Sequence, residues 1–325
     1  MRVSEKPPLT KDQRNSFIAA LLGWTMDAFD YFLVVLVYAD IAKTFHHTKA
    51  EVAFLTTATL LMRPVGALLF GLWADRVGRR LPLMVDVVFY SVVGFLCAFA
   101  PNFTVLVILR LLYGIGMGGE WGLGAALAME KVPVERRGFF SGLLQEGYPI
   151  GYLLASVVFA FLFVHIGWRG MFIASSASAL LVLYIRFGVE ESPAWVAGVA
   201  ARRASAATAW KAIRTQFPKL LYLVLLMACF NAFSHGSQDL YPTFLQAQHG
   251  YSAKLTGEIA IAMNLGALAG GVCFGAWSES LGRRRAIIIA SVLALPMIPL
   301  WAFSHSAVLF ACGGFLAWRR SLLRN

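Results

Sequence analysis

The stretch from Asn231 to Thr243 reads NAFSHGSQDLYPT and gathers Asn231, Ser234, His235, Ser237, Gln238, Asp239 and Thr243. It follows an apolar run, LLYLVLLMACF. On a helix, Asn231, Ser234, His235 and Gln238 share one face. Asp239 stands four residues after His235, so the two can pair. Asn231, Ser237 and Gln238 can donate to the oxygens of a bound molecule. His235 changes charge near neutral pH and can donate to a carboxylate. Asp239 can orient that histidine or relay a proton. Polar groups at the end of an apolar run normally face a bundle interior or a water-filled path.

Charged residues elsewhere in apolar runs extend the set. Asp27 and Asp30 lie three apart in LLGWTMDAFDYFLV, and a carboxyl inside a membrane can carry a proton. The plain alternative is a packing hydrogen bond, with Asp30 paired to a cation. Arg63 sits deep in a second run, where its planar guanidinium suits capture of a carboxylate; pairing with Asp27 or Asp30 competes with that role. Arg110 opens RLLYGIGMGGEWG and can pair with an intramembrane acid and help proton transfer, and it is also a candidate for binding substrate. Glu120 follows about 15 Å along the same helix, a second proton carrier or one half of a salt bridge. Gly114, Gly116, Gly118 and Gly119 suit close helix packing. Glu146 and Tyr148 fall in QEGYPIGY, where Glu146 reads equally as a gate or as a packing residue.

The elements that must hold these residues are membrane helices. The 325 residues are 59% hydrophobic and 14% charged, with a mean hydropathy of +0.68. Runs of about 20 apolar residues span a bilayer as helices. Such runs lie near 17–38, 52–74, 82–100, 103–129, 139–165, 168–188, 219–243, 256–277 and 286–304, with a stub at 307–318. The net charge of +11 sits in short loops, which points to topology rather than nucleic acid. Lys and Arg crowd the N-terminus, the turns near 76–80, 131–137 and 283–285, and the stretch 186–219. The opposite side holds Lys43, Lys49, Arg169 and Lys254. The N-terminus is therefore expected in the cytoplasm. Residues 1–16 then form a cytoplasmic segment, 17–188 a six-helix bundle, 189–218 a cytoplasmic linker with a surface helix, and 219–325 a second, incomplete bundle. Cys97, Cys229, Cys273 and Cys312 lie in apolar runs and are expected as buried thiols. The apolar run after the polar first 16 residues is too long for a cleavable signal.

One segment repeats. GLWADRVGRR begins at Gly71 and GAWSESLGRRR at Gly275. Each copy brings a glycine, an acid and an arginine cluster into one cytoplasmic turn: Gly71, Asp75, Arg76, Gly78, Arg79 and Arg80, then Gly275, Glu279, Gly282 and Arg283. Small residues let helices approach, and the acid can cap a helix or pair across an interface, as a latch or a gate. The repeat resembles the loop motif of the major facilitator superfamily, fully in the first copy and with Glu279 and Ser280 as departures in the second. That resemblance implies an all-α fold of two six-helix bundles around a midplane site alternating between the two sides.

Four stretches narrow it. LLGWTMDAFDYFLV, RLLYGIGMGGEWG and VEESPAW (189–195) are similar to the sialate:proton symporter family. Residues 231–243 resemble the N-x-x-S/T-H-x-S/T-Q-D-x-x-x-T pattern of lactate permeases. The resemblance implies proton-coupled uptake of short monocarboxylates, with sialate or an aromatic carboxylate as other cargoes. It also implies a multi-pass protein of the cytoplasmic membrane, with a small organic acid, a proton and the lipid bilayer as partners. The resemblance calls for twelve helices. About nine or ten are present, and the sequence closes on FLAWRRSLLRN. The expectation is a complete first bundle and a partial second one, folding poorly and transporting little on its own. A non-transporting fragment is therefore a further alternative. No cofactor, metal-ligand cluster, phosphate loop or nucleophile–base set is apparent, so no enzyme is expected.

Overall fold

The computed structural model describes residues 9–202, 215–219, 221–222, 225–226, 228–229, 239, 241–282, 285, 288–289 and 292. The described residues are helical throughout, without strands. Helices α1 (Lys11–Leu36), α2 (Tyr38–Phe45), α3 (Lys49–Val77), α4 (Arg80–Cys97), α5 (Phe103–Lys131), α6 (Arg137–Gln145), α7 (Gly147–Ser175) and α8 (Leu180–Gly188) make the first bundle. Helices α9 (Pro193–Arg202), α10 (Tyr241–Gln248) and α11 (Ala253–Leu281) follow.

Local chemistry sets the helix starts. Thr10 and Gln13 form a capping box on α1, and Thr48 and Glu51 form one on α3. Each satisfies two backbone donors that no carbonyl can reach. The Thr10 cap starts α1 at Lys11, ahead of the apolar run expected from residue 17. Asn102 caps α5 through the Val105 amide.

Lys11–Leu36, Lys49–Val77, Arg80–Cys97, Phe103–Lys131 and the 50-residue stretch Phe139–Gly188 are long and apolar enough to cross a membrane. The last is about twice a bilayer's length at 1.5 Å per residue. It turns at Gly167, whose φ of 60° breaks the helix inside α7. The break falls between the two runs expected at 139–165 and 168–188, so residues 11–188 supply six crossings. Leu68, Phe99, Val164 and Phe187 are exposed, as side chains facing lipid must be.

The tightest seam joins α3 to α5, and glycine makes it. A side chain on Gly66 would start 1.7 Å from the Ile115 carbonyl oxygen, on Gly114 2.1 Å from that of Thr59, and on Gly118 2.0 Å from that of Arg63. Backbone thus lies on backbone along the seam. Gly116 and Gly119 of the same helix turn toward α4, against Tyr90 and Asp86. Of the cysteines, Cys97 is buried, but Cys229 is exposed. The expectation of a buried thiol fails there because an apolar side chain on a lipid-facing surface is not covered by protein. Cys273 and Cys312 lie outside the residues whose side chains are described.

Candidate functional site in the first bundle

The apolar interior of α1, α3, α4 and α5 holds charge. Asp27, Asp30, Asp86, Arg110 and Glu120 are each at most 3% exposed. Asp30 and Arg110 are partners. Both terminal nitrogens of Arg110 donate to Asp30 Oδ2 at 2.9 Å. The guanidinium also lies over the rings of Tyr113, at 4.4 Å, and Phe172, at 5.0 Å. Aromatic faces hold a buried cation well. Gly94 of α4 lies against Asp30, whose Oδ1 would be in ordinary contact, at 3.5 Å, with a side chain placed there.

Asp27 is a turn away and differently held. The Tyr113 hydroxyl donates to its Oδ1 across a long 3.5 Å, and its Oδ2 has no hydrogen-bond partner among the described residues. Glu120 rests in a notch on α1: its Oε1 would be 2.0 Å from a side chain at Gly23. Its Oε2 also lacks a partner among the described residues.

Arg63 lies near both of these acids. It is half-buried, 5.6 Å over the ring of Trp24. It makes no hydrogen bond or ion pair within the described residues, yet it acts electrostatically on both Asp27 and Glu120. Of the two partners the sequence offered to Arg63, Asp30 is taken by Arg110; Asp27 is near in charge but not bonded. Trp24, the ring under the guanidinium, itself stacks on Tyr148 at 5.4 Å and leans on Trp121 at 6.1 Å. Glu146 is buried at the junction of α6 and α7, with Oε2 unpartnered among the described residues.

Asn231, Ser234, His235, Ser237, Gln238 and Arg283 lie outside the described residues. Of the His235–Asp239 pair only Asp239 is described. It is buried, and the Tyr31 hydroxyl of α1 donates to its Oδ2. Asp239 thus meets the first bundle at α1, beside Tyr38 and Tyr152, which feel its charge.

The repeated motif forms a network at the helix ends. Arg79 Nη1 donates to Asp75 at 2.6 Å, and Nη2 lies 3.5 Å from Glu130 at the end of α5. The amides of Arg79 and Arg80 donate to the Glu191 carboxylate at 2.8 and 3.1 Å. Glu191 belongs to the VEESPAW stretch, and Ser192 of that stretch donates to Glu130. Arg76 is exposed and pairs with no described residue. The two copies agree in backbone: Gly78 after α3 has φ of 109° and Gly282 after α11 has φ of 83°. A side chain on Gly78 would also begin 2.2 Å from Glu191 Oε2. Gly71 differs, since nothing lies within 4 Å of it, and the close-approach reason does not apply there. For Gly275 and Glu279 only the helical backbone is described. Replacing Gly78 with Ala is expected to cost about 1 kcal/mol or more, seen as a lower melting temperature, while Gly71→Ala, inside α3 and facing open space, does not lower that temperature.

Sequence reasoning missed Asp86. It is a lone acid in LPLMVDVVFY, and the rule that intramembrane acids are functional by default was enough to find it. Nothing in the sequence flagged Tyr31 or Trp24, because aromatic residues are common in membrane helices.

The carboxylic acid transporter protein homolog of Saccharomyces cerevisiae is 29% identical over 315 residues, covering 90% of this chain and 51% of its own length. The probable 4-methylmuconolactone transporter of Cupriavidus pinatubonensis is 30% identical over 286 residues, covering 87% and 67%. The sialic acid transporter NanX of Escherichia coli is 26% identical over 305 residues, covering 92% and 74%. The chain thus spans about half the length of the first of these relatives and more of the others. All three are named as transporters rather than enzymes. Among solved structures, the partially occluded inward open conformation of the xylose transporter XylE from E. coli matches with a TM-score of 0.79 at 18% identity, over 97% of this chain and 82% of that one. This likeness concerns the fold. The sequence pattern of the Major Facilitator Superfamily covers residues 18–318. With its six crossings, its repeated motif and this match over most of its length, the chain belongs to the major facilitator superfamily.

Proposed function

We propose that this protein carries short organic monocarboxylates, of the lactate and pyruvate type, together with protons across the cytoplasmic membrane, with its N-terminus in the cytoplasm. On this reading it is of the lactate-permease type within the sialate:proton symporter family. The observation that carries the reading is Arg63, a half-buried guanidinium with no hydrogen bond or ion pair among the described residues. A charge inside a membrane protein needs a counter-ion, and a planar guanidinium binds a carboxylate through two parallel hydrogen bonds.

Coupling follows from charge balance. Arg110 already neutralises Asp30. Arg63 offsets one of its neighbours, Asp27 or Glu120. When the substrate carboxylate takes Arg63, that acid loses its cation and takes up a proton. One acid and one proton then cross together, and the loaded carrier gains no net charge. His235, with Asn231, Ser234, Ser237 and Gln238, supplies donors to the substrate from the second half, and Asp239 connects them to α1. The helix-end network of Asp75, Arg79, Glu130 and Glu191 is a latch, released as the carrier turns. The names of the relatives support an organic acid as cargo.

The Trp24 ring over Arg63, with Tyr148 and Trp121 packed on it, favours a second reading, an aromatic carboxylate. Titration calorimetry of the purified chain with lactate, pyruvate, benzoate and sialate separates the readings. Lactate or pyruvate binding tenfold tighter than the other two supports the first, and benzoate binding tightest supports the second. Heat from none of the four contradicts an organic acid site at Arg63.

A further inference from the structure

Asp86 has no role in the cycle above, and its surroundings demand one. It is fully buried in α4, and neither of its carboxylate oxygens has a hydrogen-bond partner among the described residues. Buried polar groups in native proteins are nearly always satisfied, so each exception needs a reason. The oxygens rest on the glycines of α5: side chains there would begin 2.9 Å from Oδ2 at Gly119 and 3.4 Å from Oδ1 at Gly116. Glu120 is the next residue after Gly119.

The charged and titratable groups around it are all assigned. On α1 these are Asp27 and Asp30. On α5 they are Glu120, Arg110 and the Tyr113 hydroxyl. On α4 itself there is Tyr90, whose hydroxyl is also unpartnered among the described residues, and on α3 there is Arg63. The charges that act on Asp86 are those of Glu120 and Asp27, and no cation is among them. Arg110 belongs to Asp30, and Arg63 acts on Asp27 and Glu120. The interior of α1, α3, α4 and α5 thus holds four acids, Asp27, Asp30, Asp86 and Glu120, against two cations. An ionised Asp86 would be a buried charge with neither cation nor donor, an arrangement that proteins avoid.

We propose that Asp86 is a second proton-holding group of the bundle and hands its proton to Glu120 across the Gly116–Gly119 seam. The two carboxyls share no hydrogen bond in this structure, so the O–H bond on Asp86 breaks and one forms on Glu120 as movement of α4 against α5 brings them within reach. Asp86 is left briefly as a carboxylate and regains a proton, before the carrier turns, from the water on the side the substrate entered, so the loaded carrier still gains no net charge. The proton demanded at Arg63 when substrate binds is then supplied from within the protein. This rests on the charge balance of the proposed transport cycle, but its test needs no substrate.

The test is infrared spectroscopy of the full chain in lipid nanodiscs, following the stretching band of protonated carboxyls across pH. The wild type is expected to show a band at neutral pH that Asp86→Asn lacks, with the two proteins melting alike. Glu120→Gln is expected to move the Asp86 band, because it replaces the group with which the proton is exchanged. If Asp86→Asn does not fold, the smaller Asp86→Ser provides the same subtraction. An unchanged spectrum in the Asp86 variants overturns the proposal. So does a band that is lost on substitution of Asp86 but unmoved by Glu120→Gln, since Asp86 would then hold its proton alone. Neither result bears on whether Arg63 binds an organic acid, which the calorimetry decides separately.

Discussion

Arg110→Gln is expected to destabilise the protein by about 3–5 kcal/mol, because it leaves Asp30 ionised and buried without its cation. The size of the effect comes from the site. Both partners are almost wholly buried, and both hydrogen bonds run to one oxygen. Removing the guanidinium also strips the cation from the faces of Tyr113 and Phe172. Denaturant titration of the purified chain reads the loss. Asp30→Asn in the same chain is expected to restore a good part of it, since a neutral pair leaves no charge to solvate. A double variant as unstable as Arg110→Gln alone would mean that packing of the guanidinium, rather than its charge, holds the pair in place.

Arg63→Gln is expected to leave stability nearly unchanged and to act instead on binding. Arg63 has no ion-pair partner to strand among the described residues, so the melting temperature should change little. Binding of the carboxylate should weaken by tenfold or more, the equivalent of about 1.4 kcal/mol, because glutamine offers one neutral donor group where arginine offers a charged fork. Arg63→Lys keeps the charge and loses the fork, and is expected to fall between the two. The contrast between the arginines is the useful part. A stability loss at Arg63 equal to that at Arg110 would make it a structural cation and remove the basis of the proposed site.

Much of this arrangement could be read from residue order. The first six apolar runs gave their crossings to within a few residues, because a bilayer fixes the length of a spanning helix. The turn at Gly167 fell between two expected runs. The acids at 27, 30 and 120 stood out because charge is rare in such runs. Pairing was less legible. Asp30 lies as near in sequence to the helix of Arg63 as to any other, and only the α1–α5 contact gives it to Arg110. Gly71 and Gly78 look alike in the motif, yet one faces open space and the other bends under Glu191. Asp86 was overlooked because it has no neighbour in sequence that suggests a pair; its neighbours are Gly116, Gly119 and Glu120 on another helix. The stretch 231–238, the sharpest in sequence, lies outside the described residues, and its place in the site rests on Asp239 meeting Tyr31.

The most direct test of the transport reading is uptake of labelled lactate into proteoliposomes containing the protein, with and without an imposed inward proton gradient. The account predicts uptake that the gradient drives, that is independent of membrane voltage, and that Arg63→Gln abolishes. Lactate accumulation indifferent to the proton gradient, or undiminished in Arg63→Gln, would contradict it.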